Sequence, residues 1–115
     1  TRRKLYLRKT MILTRDYKET IRARVQRDPA FKEALLKEAI ECLLAGDVGT
    51  GKSILKDFIK ATIGFEELSR IVDKKSESLI RMLGPKGNPT ANNLFQIIAQ
   101  IQKQVGVQVE VNLVR

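Results

Sequence analysis

The stretch GFEELSRIVDKKSESLIRMLG, residues 64–84, limits what this chain can fold into more than any other part of it. Two apolar stripes of helical period stand in it, one after the other, with a polar break between them. In the first, Phe65, Leu68 and Ile71/Val72 recur at helical spacing. Glu66 and Glu67 fall in its first turn, where the helix dipole favours negative charge. Asp73-Lys74-Lys75 interrupts the pattern, and Asp tolerates turn conformations better than most residues. Ser76 is the expected N-cap of a second helix, with Leu79, Met82 and Leu83 as its stripe. Gly84-Pro85 ends that helix. The spacing predicts two short helices around a tight turn.

Two helices that cross steeply over a three- or four-residue turn need a small residue where they touch and apolar residues at fixed offsets beside it. Ser69 is the small residue. Leu68 and Val72 flank it, and Leu79 and Met82 face back from the second helix. What remains on the outer face of the second helix is Lys75, Ser76, Glu77, Ile80 and Arg81. That face is short and rich in hydrogen-bonding groups, as a helix entering a DNA major groove would be. These five are the expected contacts to base edges. Arg70, Lys74 and Lys86 are the expected phosphate contacts, which position a protein without reading sequence.

On these residues the stretch FEELSRIVDKKSESLIRML resembles the helix-turn-helix of the Cro and lambda-repressor class. The continuation GPKGNPTANNLFQIIAQIQKQVGV and the upstream run LTRDYKETIRARVQRDPAFKEALLKEAIECLLAGDV are similar to small bacterial regulators described as addiction-module antidotes, the HigA-like antitoxins. The resemblance covers roughly residues 13–111, and its most specific pieces are RMLGPKGNP and the Arg-Asp-Pro-Ala-Phe start of the long helix. It implies an antidote that represses its own operon, with a RelE-like toxin as protein partner. A single helix-turn-helix has little surface, and the unpaired apolar alternation at 107–113 could pair across a dyad, so a homodimer on palindromic double-stranded DNA is expected. Asp73 stands where the class usually has Gly. Asp can enter the left-handed region that such a turn requires.

The net charge of +9 suits a polyanionic partner. It is unevenly spread, because Arg2, Arg3, Lys4, Arg8 and Lys9 lie within residues 1–10 without an acid, which leaves +4 for the rest. Residues 1–12 therefore read as a basic extension, either appended to the chain or a nucleic-acid-binding arm, with a polar–apolar alternation over residues 4–8 that would suit a short strand. Residues 13–115 read as one helical domain. There is one cysteine and no histidine. Cys42 alone forms no intrachain disulfide and fits a reducing cytoplasm, and its position on or beside the apolar face of its helix reads as a small core residue. Without histidine, Ser-His-Asp and Cys-His catalysis and ordinary zinc sites are excluded. No apolar run approaches the roughly 18 residues of a membrane span. No catalytic residue, metal or cofactor is expected.

Along the chain, Asp16 with Glu19 reads as a capping box for a first helix to about Arg27, with Tyr17, Ile21 and Val25 on one face. Asp28-Pro29 reads as the start of a second helix with a wide apolar face, ending near Gly46. Residues 46–53, GDVGTGKS, match the phosphate-binding pattern GxxxxGK[ST] letter for letter. In a nucleotide hydrolase that loop follows a buried parallel strand, whereas here the residues before it have a helical period. The structural reading is that Gly46 ends one helix and Asp47 caps the next, which carries Ile54, Leu55, Phe58, Ile59 and Ile63. Thr90 caps a last helix with Leu94, Ile97/Ile98, Ile101 and Val105 inward, ended by Gly106. Val107, Val109, Val111 and Leu113 then alternate with polar residues, which predicts a half-buried β-strand over 107–113. Its partner is residues 4–13, a second subunit or another protein.

The expected fold is all-α, a bundle of five to six helices containing a lambda-repressor-like helix-turn-helix, with one short C-terminal β-strand. The expected function is transcriptional regulation through DNA, by the antitoxin of a toxin–antitoxin module that represses its own operon. The alternatives are a toxin-binding module without strong DNA binding and a nucleotide-binding protein acting through GDVGTGKS.

Overall fold

The computed structural model describes residues 15–115, with side chains from residue 21 onward. The expected strand within residues 4–13 lies outside the described residues. The first helix, α1 (Arg15–Arg27), begins one residue before its expected cap, Asp16. It turns Ile21 and Val25 into the core. Arg24 then joins it to the next element. Its Nε lies 3.6 Å from Asp28 Oδ2, and its guanidinium sits 4.3 Å from the centre of the Phe31 ring.

Helix α2 (Pro29–Leu44) starts as expected, with the Asp28 carboxylate accepting from the Phe31 N–H at 3.2 Å and Pro in the first turn, where its missing N–H costs nothing. Leu35, Leu36, Ala39 and Cys42 are buried. The chain leaves through Gly46, at φ 86°, and Asp47 accepts from the Thr50 N–H at 3.4 Å to open α3 (Val48–Ala61). This helix is the centre of the molecule, packed on α1 and α2. Ile54, Leu55, Phe58 and Ile59 on it are all fully buried. Burying side chains of this size contributes roughly 1.5–3 kcal/mol each before chain entropy is set against it.

Two short helices follow, α4 (Phe65–Val72) and α5 (Ser76–Met82). The last, α6 (Ala91–Val105), is capped by the Thr90 hydroxyl on the Asn93 N–H and ends at Gly106 in the left-handed conformation. It contributes Ile97, Ile98 and Ile101 to the core that Phe65, Leu68, Leu79 and Leu83 enter from the other side. Six helices and no strand are present among the described residues. None of these helices is long and apolar enough to cross a membrane.

The expected β-strand over residues 107–113 does not form. The segment is extended, but no described strand lies beside it to make a ladder. Instead it is tied to the end of α6. Gln102 accepts twice, through its backbone oxygen from the Val107 N–H at 3.1 Å and through Oε1 from the Val109 N–H at 2.8 Å. Val107 and Val109 are half-buried along a cleft with Glu33, Leu36 and Lys37 of α2, and Gln108 and Glu110 at the same cleft are exposed. The alternation was a true sign of an extended segment covered on one side. A helix surface covers it here, and past Val109 the apolar residues Val111, Leu113 and Val114 are exposed.

Candidate nucleic-acid interface

The turn between α4 and α5 is three residues long, and Asp73 makes it possible. With φ 55° and ψ 51° it is the only non-glycine residue of positive φ among those described. Left-handed backbone at this point reverses the chain, and Asp reaches it at lower cost than bulkier residues. The carbonyl of Ser69 accepts from the N–H groups of both Asp73 and Lys74, and the Ser69 hydroxyl donates to the carbonyl of Lys74. Ser69 was expected as the small residue at a helix contact. In the structure it is the hydrogen-bonding hub of the turn.

Ser76 differs from expectation. Lys75, with extended backbone, is the residue that precedes α5, and no side chain caps that helix. Ser76 is already its first helical residue, one position too late for its hydroxyl to reach the amides of the first turn. It donates instead to the Phe65 carbonyl, at 3.4 Å, and so ties the start of α5 to the start of α4.

The inner face of the pair is as expected in its centre. Leu68 and Leu79 are completely buried, Leu83 joins them, and Val72 and Met82 are half-buried at the edge. Four of the five residues expected on the outer face of α5 are exposed there, Lys75, Glu77, Ile80 and Arg81. The fifth, Ser76, is half-buried and turned toward α4. Among the expected phosphate contacts, Lys86 is exposed, Lys74 is half-buried, and the exposed Arg70 pairs with Glu67 one turn before it. Exposed pairs of this kind are worth about 1 kcal/mol or less, so Arg70 can exchange one anion for another. Across residues 64–87, five cations stand against four carboxylates. The surface is mildly basic.

Lys86 sits in a tight turn, Gly84-Pro85-Lys86-Gly87, closed by the Gly87 N–H on the Gly84 carbonyl at 3.0 Å. The residue that holds this turn is Lys52, on α3. Its side chain is buried, and its ammonium donates to Gly84 O at 3.1 Å and to Gly87 O at 2.5 Å. A Cβ added to Gly87 would lie 2.2 Å from the Arg81 carbonyl oxygen and 2.3 Å from that of Met82, so only glycine lets the turn close against α5.

Sequence reasoning missed Lys52 as the residue that holds this turn. Lys52 belongs to the phosphate-loop match, where a lysine is read as a phosphate ligand. Its spacing to Leu55 and Ile59, i, i+3 and i+7, already put it on the buried face of α3. The neighbouring Gly51 is also structural, since a Cβ there would come within 2.7 Å of the Leu43 side chain and 3.2 Å of the Ala39 carbonyl oxygen. The match thus leaves helix α2, not a strand, and its glycine and lysine are occupied by α2 and by the 84–87 turn. Among the described residues no cluster of Asp, Glu or Cys could hold a metal ion.

Comparison of the chain with models of protein families, with curated proteins and with solved structures finds no match in any of the three.

Proposed function

We propose that the chain is a sequence-specific DNA-binding regulator that uses α4 and α5 as a helix-turn-helix and lays α5 in the major groove. One observation carries this reading. Two short helices are locked by Ser69 and the left-handed Asp73, with Leu68 and Leu79 sealed beneath, and the second presents Lys75, Glu77, Ile80 and Arg81 to solvent. The donors, acceptor and methyl groups of these four exposed residues, held on a short helix, match what base edges offer. Lys74, Lys86 and Arg70 surround it as phosphate ligands. The resemblance to Cro and lambda-repressor-type regulators supports the same reading. So does the resemblance to HigA-like antitoxins, which extends it to a regulator that also binds a RelE-like toxin.

A single unit of this size contacts few base pairs, so specific binding calls for a two-fold homodimer on a palindromic site. The decisive experiment is selection from a random double-stranded pool with the full chain. Enrichment of an inverted repeat with half-sites about one helical turn apart is the expected result. A pool that remains random at low salt sinks the proposal.

A further inference from the structure

We propose that Lys52 is a positioning residue for this interface, one that sets the angle of α5 and the place of Lys86 against DNA phosphate without touching DNA. The proposal rests on the DNA-binding reading above. It starts from the fact that the ammonium is buried and that both carbonyls it is bonded to belong to one turn, 32 and 35 residues further along the chain. A buried ammonium requires acceptors, because leaving it bare is far costlier than losing one hydrogen bond. The turn therefore cannot swing away from α3 without stranding the charge.

The carbonyls taken by Lys52 also stand at the right place electrostatically. Gly84 and Gly87 lie just beyond the C-terminus of α5, where the helix dipole favours a cation. The turn is thus fastened from two sides, by Lys52 and by the Arg81 and Met82 carbonyls against which Gly87 lies. Lys86 lies between the two clamped carbonyls, next to Pro85 with its fixed φ. Arg81, in the last turn of α5, is held by the same fastening. The exposed cation of the loop and the exposed cation of the helix thereby keep a constant separation from the rigid core, which is what simultaneous contact with a phosphate and a base edge demands.

The test compares Lys52→Met, which keeps length and removes the donors, with the unaltered full chain. Amide exchange is the readout that needs no DNA. The Gly87 amide is expected to exchange about ten-fold faster or more in the variant, while the amides of Ile54 and Phe58 keep their protection. On the selected DNA site, affinity is expected to fall by roughly ten-fold. The loss should not add to that of Lys86→Ala, so that the double variant binds like the weaker single one. Gly87→Ala, which forces the turn off α5 from the opposite side and leaves the core alone, should give the same loss and serves if Lys52→Met does not fold. Unchanged Gly87 exchange in Lys52→Met overturns the clamp. Faster exchange with unaltered affinity, or losses fully additive with Lys86→Ala, reduces Lys52 to a stabilising residue and overturns the positioning role. Failure of the DNA-binding reading itself is seen separately, as absence of any enriched sequence with the unaltered chain.

Discussion

The backbone N–H of Asp73 donates to the carbonyl oxygen of Ser69, and it does so from a left-handed conformation that no other non-glycine residue among those described adopts. The bond ends α4 and aims the next three residues at the start of α5. Left-handed backbone costs an ordinary L-residue roughly 1–2 kcal/mol, with Asp at the low end and β-branched residues at the high end. Replacing Asp73 by Gly should therefore leave stability unchanged or raise it by up to about 1 kcal/mol. Asp73→Val should lower it by at least about 1 kcal/mol. Urea denaturation of both variants checks this, and a Val variant as stable as the Gly variant means that the turn takes another conformation in solution.

Leu79 is the residue of α5 that is sealed completely, against the core shared by α3, α4 and α6. Truncation removes apolar burial and leaves a cavity that rigid neighbours fill poorly. Leu79→Ala is expected to cost about 2–5 kcal/mol. A loss under about 0.5 kcal/mol, as surface positions give, would show that α5 is not seated on its Leu79 face.

Elements were legible in the sequence wherever local chemistry decided them. Asp28-Pro29, Asp47, Thr90 and Gly106 act within four residues of themselves, and each caps the helix it was expected to cap. The buried residues Ile54, Leu55, Phe58 and Ile59 of α3 and Ile97, Ile98 and Ile101 of α6 followed from period alone. Ile63, expected on the α3 stripe, instead lies past the end of that helix at Ala61 and is half-buried in the turn that follows. Residues whose partners are remote were not legible. Nothing near Lys52 announces carbonyls more than thirty residues away. Ser76 illustrates the same limit at short range, because its hydroxyl prefers the Phe65 carbonyl across the turn to the amides ahead of it. The 107–113 segment shows another limit. Alternation reports one covered face and is silent on whether a sheet or a helix covers it. The outer face of α5 was legible because it is the remainder left after a short helix has buried its stripe.

Gly51 tests the structural reading of the phosphate-loop match. It lies where α3 comes closest to α2, beside Leu43 and the Ala39 carbonyl. A branched side chain there must displace Leu43 and push on backbone. Gly51→Val is expected to destabilise the fold by about 1–3 kcal/mol, measured by urea denaturation. Stability equal to that of the unaltered chain would mean that the two helices do not meet at this glycine.

Arg81 and Lys86 are both exposed cations, yet their settings differ, and so should the consequences of removing them. Arg81 projects from α5 beside Ile80, where a guanidinium can take the two acceptors of a guanine edge. Such a contact discriminates against other bases by roughly 1–3 kcal/mol. Lys86 stands on the clamped turn beyond the helix and is a point charge suited to phosphate. Arg81→Ala should therefore weaken binding to the selected site and relax preference at one base position of each half-site. Lys86→Ala should weaken all sequences about equally and reduce the magnitude of the salt slope by about one per subunit. Both variants are titrated at several salt concentrations on the selected site and on scrambled DNA. If Arg81→Ala keeps the selected motif and Lys86→Ala changes it, the reading edge of the interface is the turn and not the helix. If neither variant loses affinity while the unaltered chain still selects a sequence, DNA is held by another face of the molecule.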